Sequence, residues 1–257
     1  MLKYFFQFLL ASKNEHALHS PFVFELYTKI ITNRKRLPIY TEIENLRKKL
    51  LKNETIIEII DFGAGSKIYK TNQRQVRQIA KSAEKSPRFG KLIFRLIQYF
   101  KPAIIFDLGT SLGITTLYES KAYESGKVYT FEGCPETAKI AKENFKALNC
   151  ENIEVVVGNI DETLSNKLNG INQLDFAFFD ANHRYEPTVR YFEMCLEKAT
   201  EESVFVFDDI HWSDEMQKAW EYISKHPKVM ISIDLFFVGL IFFRKNQPKQ
   251  HFVLRYF

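Results

Sequence analysis

A short apolar run that ends in an acid and a glycine-containing turn constrains this chain more than any other stretch. Residues 103–106 are apolar, Asp107 follows, and Gly109, Ser111 and Gly113 lie in the turn before a segment that can form a helix. This order predicts a buried strand, a tight loop and a helix N-terminus. Glycines lack a Cβ, so a ligand can approach the loop backbone, and the first N–H groups of the helix carry partial positive charge.

A second acid, Glu132, ends the next predicted strand, 25 positions after Asp107. In doubly wound folds an acid at this place binds the two hydroxyls of a ribose. Phosphate-binding loops usually have the denser pattern G-x-G-x-x-G, whereas Ser111 stands here in place of the middle glycine. Because Asp107 would repel a diphosphate, the two acids favour a ligand that has a ribose and a cationic end.

These two segments, residues 107–113 and 131–133, resemble the first two motifs of class I S-adenosylmethionine-dependent methyltransferases. The most similar branch is that of the small-molecule O-methyltransferases, and the resemblance covers about residues 100–245. It implies S-adenosyl-L-methionine as cofactor. The implied cofactor-binding residues are Asp107, Gly109, Ser111, Gly113, Glu132, Asn159, Ile160 and Asp180. For Asn159 the alternative is an ordinary turn residue.

Predicted strands and helices alternate from residue 103 onward, which predicts an α/β fold with a doubly wound, mostly parallel sheet. Two late strands are too close together for a crossover helix, so they should form an antiparallel β-hairpin. The resemblance implies a seven-stranded, Rossmann-like sheet, and residues 251–257 alternate as an additional edge strand would. The predicted strands lie near residues 103–108, 127–132, 153–157, 174–179, 203–208, 229–234 and 237–243, and the helices near 113–124, 135–148, 161–168, 184–199 and 213–225.

Acidic residues and a histidine follow the fourth and fifth predicted strands: Asp180, His183, Asp208 and Asp209. Carboxylates at neighbouring strand ends offer oxygen ligands to a hard divalent cation, and without a counter-charge they repel one another. The pattern resembles the metal-dependent O-methyltransferases of the catechol and macrolide-sugar kinds. The resemblance implies that Asp180, Asp208 and Asp209 bind a metal such as Mg²⁺. It also implies that His183 and Asp180 are catalytic, with His183 removing the proton of the acceptor hydroxyl.

Two alternatives for these residues stay open at this point. Asp208 and Asp209 are also suitable caps for the helix that comes next, and His183 is a suitable hydrogen-bonding residue at a helix start. His211, Trp212 and Tyr185 lie close in sequence, so they either line an acceptor pocket or simply pack. Ser213 is predicted to cap the helix near residues 213–225.

The first 99 residues form a mainly helical N-terminal extension in this prediction, and residues 100–257 form the catalytic domain. The resemblance to methyltransferases implies that this extension covers the acceptor or mediates a homodimer. Ser20 with Pro21 predicts a helix over residues 22–31, and Thr41 with Glu44 predicts a capping box for a helix that ends near Leu51. Residues 73–100 predict one or two helices, with the break at Pro87 and Gly90.

A glycine-rich segment at residues 61–66 looks like another cofactor loop. The residues directly after Ser66 are polar and basic, and they lack the small apolar side chains of a helix that packs on a parallel sheet. We therefore expect a structural turn there.

Charge is divided unevenly along the chain. Residues 1–101 carry a net charge of +12 and residues 102–257 carry −7. Either the two portions neutralise each other, or the basic portion docks an anionic partner. The alternative function is accordingly a methyltransferase that acts on nucleic acid or protein through the basic N-terminal region. The loop pattern makes a nicotinamide-dependent oxidoreductase a less favoured alternative. The acidic strand ends make a binding module without catalysis less favoured.

Two further observations bear on location. Cys134, Cys150 and Cys195 have no paired spacing, which predicts a reducing, cytoplasmic environment. No apolar stretch reaches 18 residues, so no membrane span is predicted.

Overall fold

The computed structural model describes residues 2–60, 72–82 and 85–256. The chain divides into two compact units: unit 1 comprises Met1–Asn33 and Lys167–Phe257, and unit 2 comprises Arg34–Asn166. The predicted domain boundary between residues 99 and 100 falls inside unit 2, and the functional division at that point stays a prediction. The predicted turn at residues 61–66 lies outside the described residues.

The N-terminal part of unit 1 is helical, as predicted. It contains α1 (Leu2–Ala11), a single 3-10 turn (Glu15–Ala17) and α2 (Pro21–Glu25), which continues as a π-helical stretch (Leu26–Ile31). The Ser20 hydroxyl accepts a hydrogen bond from the backbone N–H of Val23 (3.4 Å), and Pro21 occupies the first helical position. The predicted cap and the predicted end near residue 31 are therefore confirmed.

Unit 2 contains three parallel strands with helices between them. Its elements are α3 (Pro38–Leu50), β1 (Ile56–Glu58), β2 (Gln73–Gln75), α4 (Val76–Ser82), α5 (Pro87–Phe100), β3 (Ile104–Leu108), α6 (Ile114–Ala122), β4 (Lys127–Glu132), α7 (Pro135–Ala147) and β5 (Ile153–Val157), and α8 (Ile160–Asn169) spans the cut between the units. Strand β4 pairs in parallel with β3 on one side and with β5 on the other. Strands β1 and β2 pair antiparallel with each other.

The remaining part of unit 1 holds five strands in the order β10-β8-β9-β7-β6. Its elements are β6 (Leu174–Phe179), α9 (Tyr185–Leu196), β7 (Ala199–Asp208), α10 (Asp214–Lys225), β8 (Ile231–Asp234), β9 (Val238–Phe242) and β10 (Gln250–Val253). Strands β6 and β7 are parallel, and β9 pairs antiparallel with both β7 and β8. The parallel βαβ pattern and the late hairpin confirm the predicted α/β class. The described residues contain eight strands from β3 to β10 rather than seven, because the tail supplies β10 beside β8.

Three N-terminal predictions were wrong in detail. Helix α3 begins at Pro38, because the fixed φ angle of proline suits the first position of a helix. Thr41 of the predicted capping box therefore lies inside the helix. Residues Gln73–Gln75 form a strand that pairs with β1, rather than part of a helix. Pro87 begins α5 as predicted, but Gly90 lies in the interior of that helix and does not break it.

Gly90 is a glycine because Tyr118 packs against it. A Cβ built at Gly90 would lie 2.4 Å from two ring carbons of Tyr118, a buried residue of α6. We predict that Gly90→Ala lowers the free energy of unfolding by about 1–3 kcal/mol, since the extra methyl overpacks this contact. Gly170→Ala is the control, because its nearest contact would be 3.4 Å. Chemical denaturation of both variants checks the prediction, and equal stability of the two variants would contradict it.

Within the part of the chain that the structure describes, no helix has the length and apolar character needed to cross a bilayer. Cys134, Cys150 and Cys195 are all free thiols.

Candidate functional site

The loop between β3 and α6 has the strained backbone that its glycines predict. Gly109, Ser111 and Gly113 all have positive φ values, of 118°, 50° and 84°. A non-glycine residue rarely adopts this region, and such residues concentrate at functional sites. A Cβ at Gly113 would lie 2.4 Å from the ring of Phe145 in α7. Gly113 is therefore required both by the turn and by the packing of the loop on α7.

Glu132 binds this loop directly. Its Oε2 accepts a hydrogen bond from the backbone N–H of Ser111 (2.8 Å), and its Oε1 accepts one from the N–H of Cys134 (2.9 Å). The Ser111 Oγ is buried and has no hydrogen-bond partner among the described residues. Buried hydroxyls are normally paired, so the Ser111 Oγ together with the half-buried Glu132 carboxylate suits a polar, hydroxyl-bearing ligand.

Asp107 lies beneath the loop rather than on its surface. The residue has no exposed area, and its Oδ2 accepts hydrogen bonds from the hydroxyls of Thr116 (2.6 Å) and Thr130 (2.7 Å). Thr110, in the loop itself, shares a hydrogen bond with Thr130 (2.5 Å). The predicted contact between Asp107 and a cationic ligand stays a prediction. The three threonines were not predicted as part of the site.

Asn159 caps the turn that opens α8. Its Oδ1 accepts the backbone N–H of Asp161 (3.1 Å), and its carbonyl oxygen accepts the N–H of Thr163 (3.0 Å). The preceding Gly158, with a φ of 136°, donates its N–H to the carbonyl oxygen of Glu132 (3.0 Å). These contacts agree with the alternative that Asn159 is an ordinary turn residue. A role for Asn159 or the half-buried Ile160 at an adenine ring stays a prediction.

Unit 1 brings together Asp180, His183 and Asp208. Asp180 follows β6, Asp208 ends the neighbouring parallel strand β7, and the ligand atoms of all three residues lie within 4.8 Å of one another. The Nε2 atom of His183 lies 3.4 Å from the Oδ1 of Asp180. Asp208 is buried, and the other two side chains are partly exposed. The strand ends therefore place two carboxylates and an imidazole at one point.

Asp209 differs from the three residues of this cluster. It has a φ of 53°, which aspartate tolerates, and its backbone N–H donates to the carbonyl oxygen of Phe237 (2.7 Å). The described cluster does not include its carboxylate, and its role as a metal ligand stays a prediction.

The helix α10 is capped by Ser213, which accepts the N–H of Met216 (3.2 Å), as predicted. Asp208 and Asp209 are therefore not the residues that cap this helix.

The donor set of the cluster fits a divalent cation. The Asp180 and Asp208 carboxylates supply oxygen ligands of the kind that a hard divalent ion prefers. Asn182, between Asp180 and His183 in the chain, has a buried Oδ1 without a hydrogen-bond partner among the described residues, and its φ is 59°. An unpaired buried amide oxygen in a strained loop is a feature that a bound cation or its water would satisfy.

Of the residues predicted to surround the acceptor, His211 is the most constrained. It is buried, its Nε2 lies 2.7 Å from the Oδ2 of Asp234, and its Nδ1 contacts the Oε1 of Gln217. These contacts fix the orientation of its ring, and its role at the acceptor stays a prediction. Trp212, by contrast, is 57% exposed, and Tyr185 is 37% exposed.

Comparison with known proteins finds similarity to methyltransferases. Residues 106–210 match the family described as "Methyltransferase domain". A catechol O-methyltransferase of Niastella koreensis is 27% identical over 128 residues, which are 49% of this chain and 57% of that protein. The chain thus spans little more than half the length of the curated relative that it matches.

Solved structures show the same fold at low identity. The structure of the Podospora anserina methyltransferase PaMTH1 with bound S-adenosylhomocysteine (SAH) superposes with a TM-score of 0.61, at 13% identity, over 88% of this chain and 97% of that one. An O-methyltransferase from Bacillus cereus, also in complex with SAH, superposes with a TM-score of 0.57 at 18% identity. The match covers 86% of this chain and 97% of that one. The matched domain and this fold agree with the predicted resemblance to the class I S-adenosylmethionine-dependent methyltransferases.

Proposed function

We propose that this protein transfers a methyl group from S-adenosylmethionine to a hydroxyl oxygen of a small molecule, with help from a divalent cation. The observation that carries the proposal is the Asp180–His183–Asp208 cluster, whose ligand atoms lie within 4.8 Å of one another in a methyltransferase-family chain. The matched residues 106–210 include this cluster as well as the loop that Glu132 binds. The relative from Niastella koreensis, a catechol O-methyltransferase, supports a small hydroxylated acceptor.

Glu132 and the loop at residues 109–113 hold the methyl donor. The Glu132 carboxylate accepts two backbone N–H groups and keeps further lone pairs for the ribose hydroxyls. The buried Ser111 Oγ offers the donor another hydrogen bond. Glu132 therefore has two tasks: it binds the sugar, and it holds the loop backbone in its strained conformation.

Asp180, His183 and Asp208 prepare the acceptor. Asp180 and Asp208 would bind the cation, and Asp209 is a further candidate ligand. A divalent cation held by these residues would lower the pKa of the acceptor hydroxyl, which is otherwise a poor nucleophile. His183 takes the hydroxyl proton on an imidazole nitrogen, and Asp180 orients the ring through their 3.4 Å contact. The acceptor oxygen then displaces the methyl carbon from sulfur, so that an O–CH₃ bond forms as the C–S bond breaks.

We predict that His183→Gln lowers the turnover number by about 10²–10⁴-fold, the usual contribution of a positioned general base. Donor affinity should stay at the wild-type value, because the donor-binding residues are unchanged. His16→Gln is the matched control, since His16 lies on an exposed 3-10 turn. Steady-state kinetics with both variants checks the prediction, and wild-type turnover in His183→Gln would exclude the base role.

The proposed function is tested with isotopically labelled S-adenosylmethionine and catechol as the probe acceptor. We expect a product that carries the label as O–CH₃, formed with Mg²⁺ and lost when a chelator is added. A methyl group on nitrogen or carbon, or unchanged turnover after chelation, would contradict the proposal. The alternative of methylation on nucleic acid or protein predicts label in added RNA or polypeptide, with association that weakens steeply as salt increases.

A further inference from the structure

Phe236 is a buried aromatic residue in a backbone conformation that bulky side chains rarely adopt. It lies in the turn between β8 and β9, is 2% exposed and has a φ of 75°. A bulky residue stays in this left-handed region only where the surrounding structure holds it there. Inside the turn, the Phe236 N–H donates to the Oδ1 of Asp234 (2.8 Å), and the N–H of Leu235 donates to the carbonyl oxygen of Val238 (2.9 Å). The strained conformation therefore depends on these bonds and on what packs against the ring.

Aromatic side chains from helix α1 and from the loop after β7 pack around this ring. Phe5 contacts the Phe236 ring edge to face at a centroid distance of 5.0 Å, and Phe8 contacts it in a tilted arrangement at 5.3 Å. The His211 ring stacks on Phe236 at 5.3 Å, and Tyr4 stacks on His211 at 6.1 Å. Aromatic pairs at such distances attract each other beyond the gain from burial. We call these five residues, which all belong to unit 1, the aromatic clasp.

Polar contacts join the same three segments. The Tyr4 hydroxyl donates to the Oδ1 of Asp214 at the start of α10 (2.6 Å). The Oδ2 of the buried Asp234 lies 2.7 Å from the Nε2 of His211, while its Oδ1 accepts the N–H of Phe236. One carboxylate thus links the turn after β8 to the loop after β7, and α1 packs on both.

The clasp is connected through the backbone to the cluster that contains Asp208. Asp208, the last residue of β7, pairs in register with Val238, the first residue of β9. The next residue, Asp209, donates its N–H to the carbonyl oxygen of Phe237 (2.7 Å), which directly follows Phe236 in the turn. The conformation of this turn therefore sets where β9 begins, and the pairing carries that position over to the end of β7.

We propose that the aromatic clasp positions the carboxylate of Asp208 for cation binding. The rings of α1 hold the left-handed turn at Phe236, and the turn fixes the end of β7 so that Asp208 meets Asp180 and His183. The described cluster takes no ligand atom from the clasp, so the clasp residues are positioning residues. The coupling between clasp and strand is independent of the proposed function, whereas its effect on a cation rests on that function.

The first test measures the coupling without any ligand, by amide hydrogen exchange followed by NMR. Phe5→Ala removes one ring pair, and we expect the exchange rate of the Asp209 amide to rise about three- to tenfold, the range that one aromatic pair contributes. Phe6→Ala is the matched control on the same helix, because the Phe6 side chain is 64% exposed. Equal Asp209 rates in the two variants, or an equal rise at Val206 in the middle of β7, would overturn the proposal.

The second test measures Mn²⁺ affinity by electron paramagnetic resonance. We expect Phe5→Ala to raise the Mn²⁺ dissociation constant about three- to tenfold, while Phe6→Ala keeps the wild-type value. Phe5→Tyr retains the ring, and Phe5 is only half-buried, so this variant should bind Mn²⁺ as the wild type does. A role confined to overall stability would leave the Mn²⁺ affinity of the folded variants unchanged.

The outcomes of the second test are distinct. Wild-type Mn²⁺ affinity in folded Phe5→Ala would overturn the positioning role. If Phe5→Ala does not fold, Tyr4→Leu replaces it in both tests with the same expected direction, because Tyr4 is half-buried at the outer end of the clasp. If the wild-type protein itself binds no Mn²⁺, the proposed cation role fails and the effect of the clasp on it fails as well. The Asp209 exchange rates would in that case still decide whether α1 holds the end of β7.

Discussion

Replacement of Asp208 by Asn should reduce methyl transfer by about 10³-fold or more, the scale of the charge stabilisation that a bound cation provides. The substitution keeps the shape of a buried side chain and removes its charge. Asp180→Asn should behave alike, since both carboxylates face the same point. In Asp208→Asn the SAH affinity should stay within about threefold of the wild-type value, because Asp208 is not among the residues predicted to bind the donor.

Asp175→Asn is the matched control for these variants. Asp175 also lies in β6 but outside the cluster, and it accepts a hydrogen bond from Gln173 (2.7 Å). Turnover and Mn²⁺ binding, followed by electron paramagnetic resonance, are measured for all three variants. Loss of Mn²⁺ binding in the two cluster variants, but not in the control, is the expected result. Full turnover in both Asp180→Asn and Asp208→Asn would remove the cation from the mechanism.

Replacement of Glu132 by Gln should weaken SAH binding by about 10²-fold. The amide has one acceptor oxygen instead of two, so it cannot accept both the Ser111 and the Cys134 N–H groups and also bind the ribose. A lost hydrogen bond to a charged group costs about 1.5–3 kcal/mol, which corresponds to roughly 10–10²-fold in affinity.

The control for Glu132→Gln is Glu136→Gln, since Glu136 is exposed in the first turn of α7. Calorimetric titration with SAH gives both affinities, and thermal unfolding without ligand shows that the variants are folded. Equal affinity in Glu132→Gln and Glu136→Gln would show that Glu132 does not bind the donor.

Much of the fold can be predicted from local patterns in the sequence. Apolar runs bounded by glycine or acidic residues predict strands β3 to β9, and each lies within a few residues of its expected place. The alternation of strands and helices can be predicted because each strand and each helix buries a continuous apolar face. By contrast, Gln73–Gln75 has no apolar period, and only its pairing with β1 makes it a strand.

The candidate site is harder to predict from the sequence, because it depends on side-chain direction and on contacts between residues that are distant in the chain. Asp107 is predictable as an acid at a strand end, but its burial depends on Thr116 and Thr130, which come from two other elements. A glutamate in a helix is normally expected to be exposed, so the burial of Glu119 in α6 is not visible in the sequence. The left-handed backbone of Asp209 is likewise not visible in its residue type alone.

One calorimetric measurement tests the central claim, that acids at the strand ends form a site for a ribose-bearing donor with a cationic end rather than for a diphosphate. The protein is titrated with SAH and, separately, with NAD, each with Mg²⁺ and with a chelator. The account predicts saturable binding of SAH under both conditions and no binding of NAD. Binding of NAD at least as tight as that of SAH would contradict it.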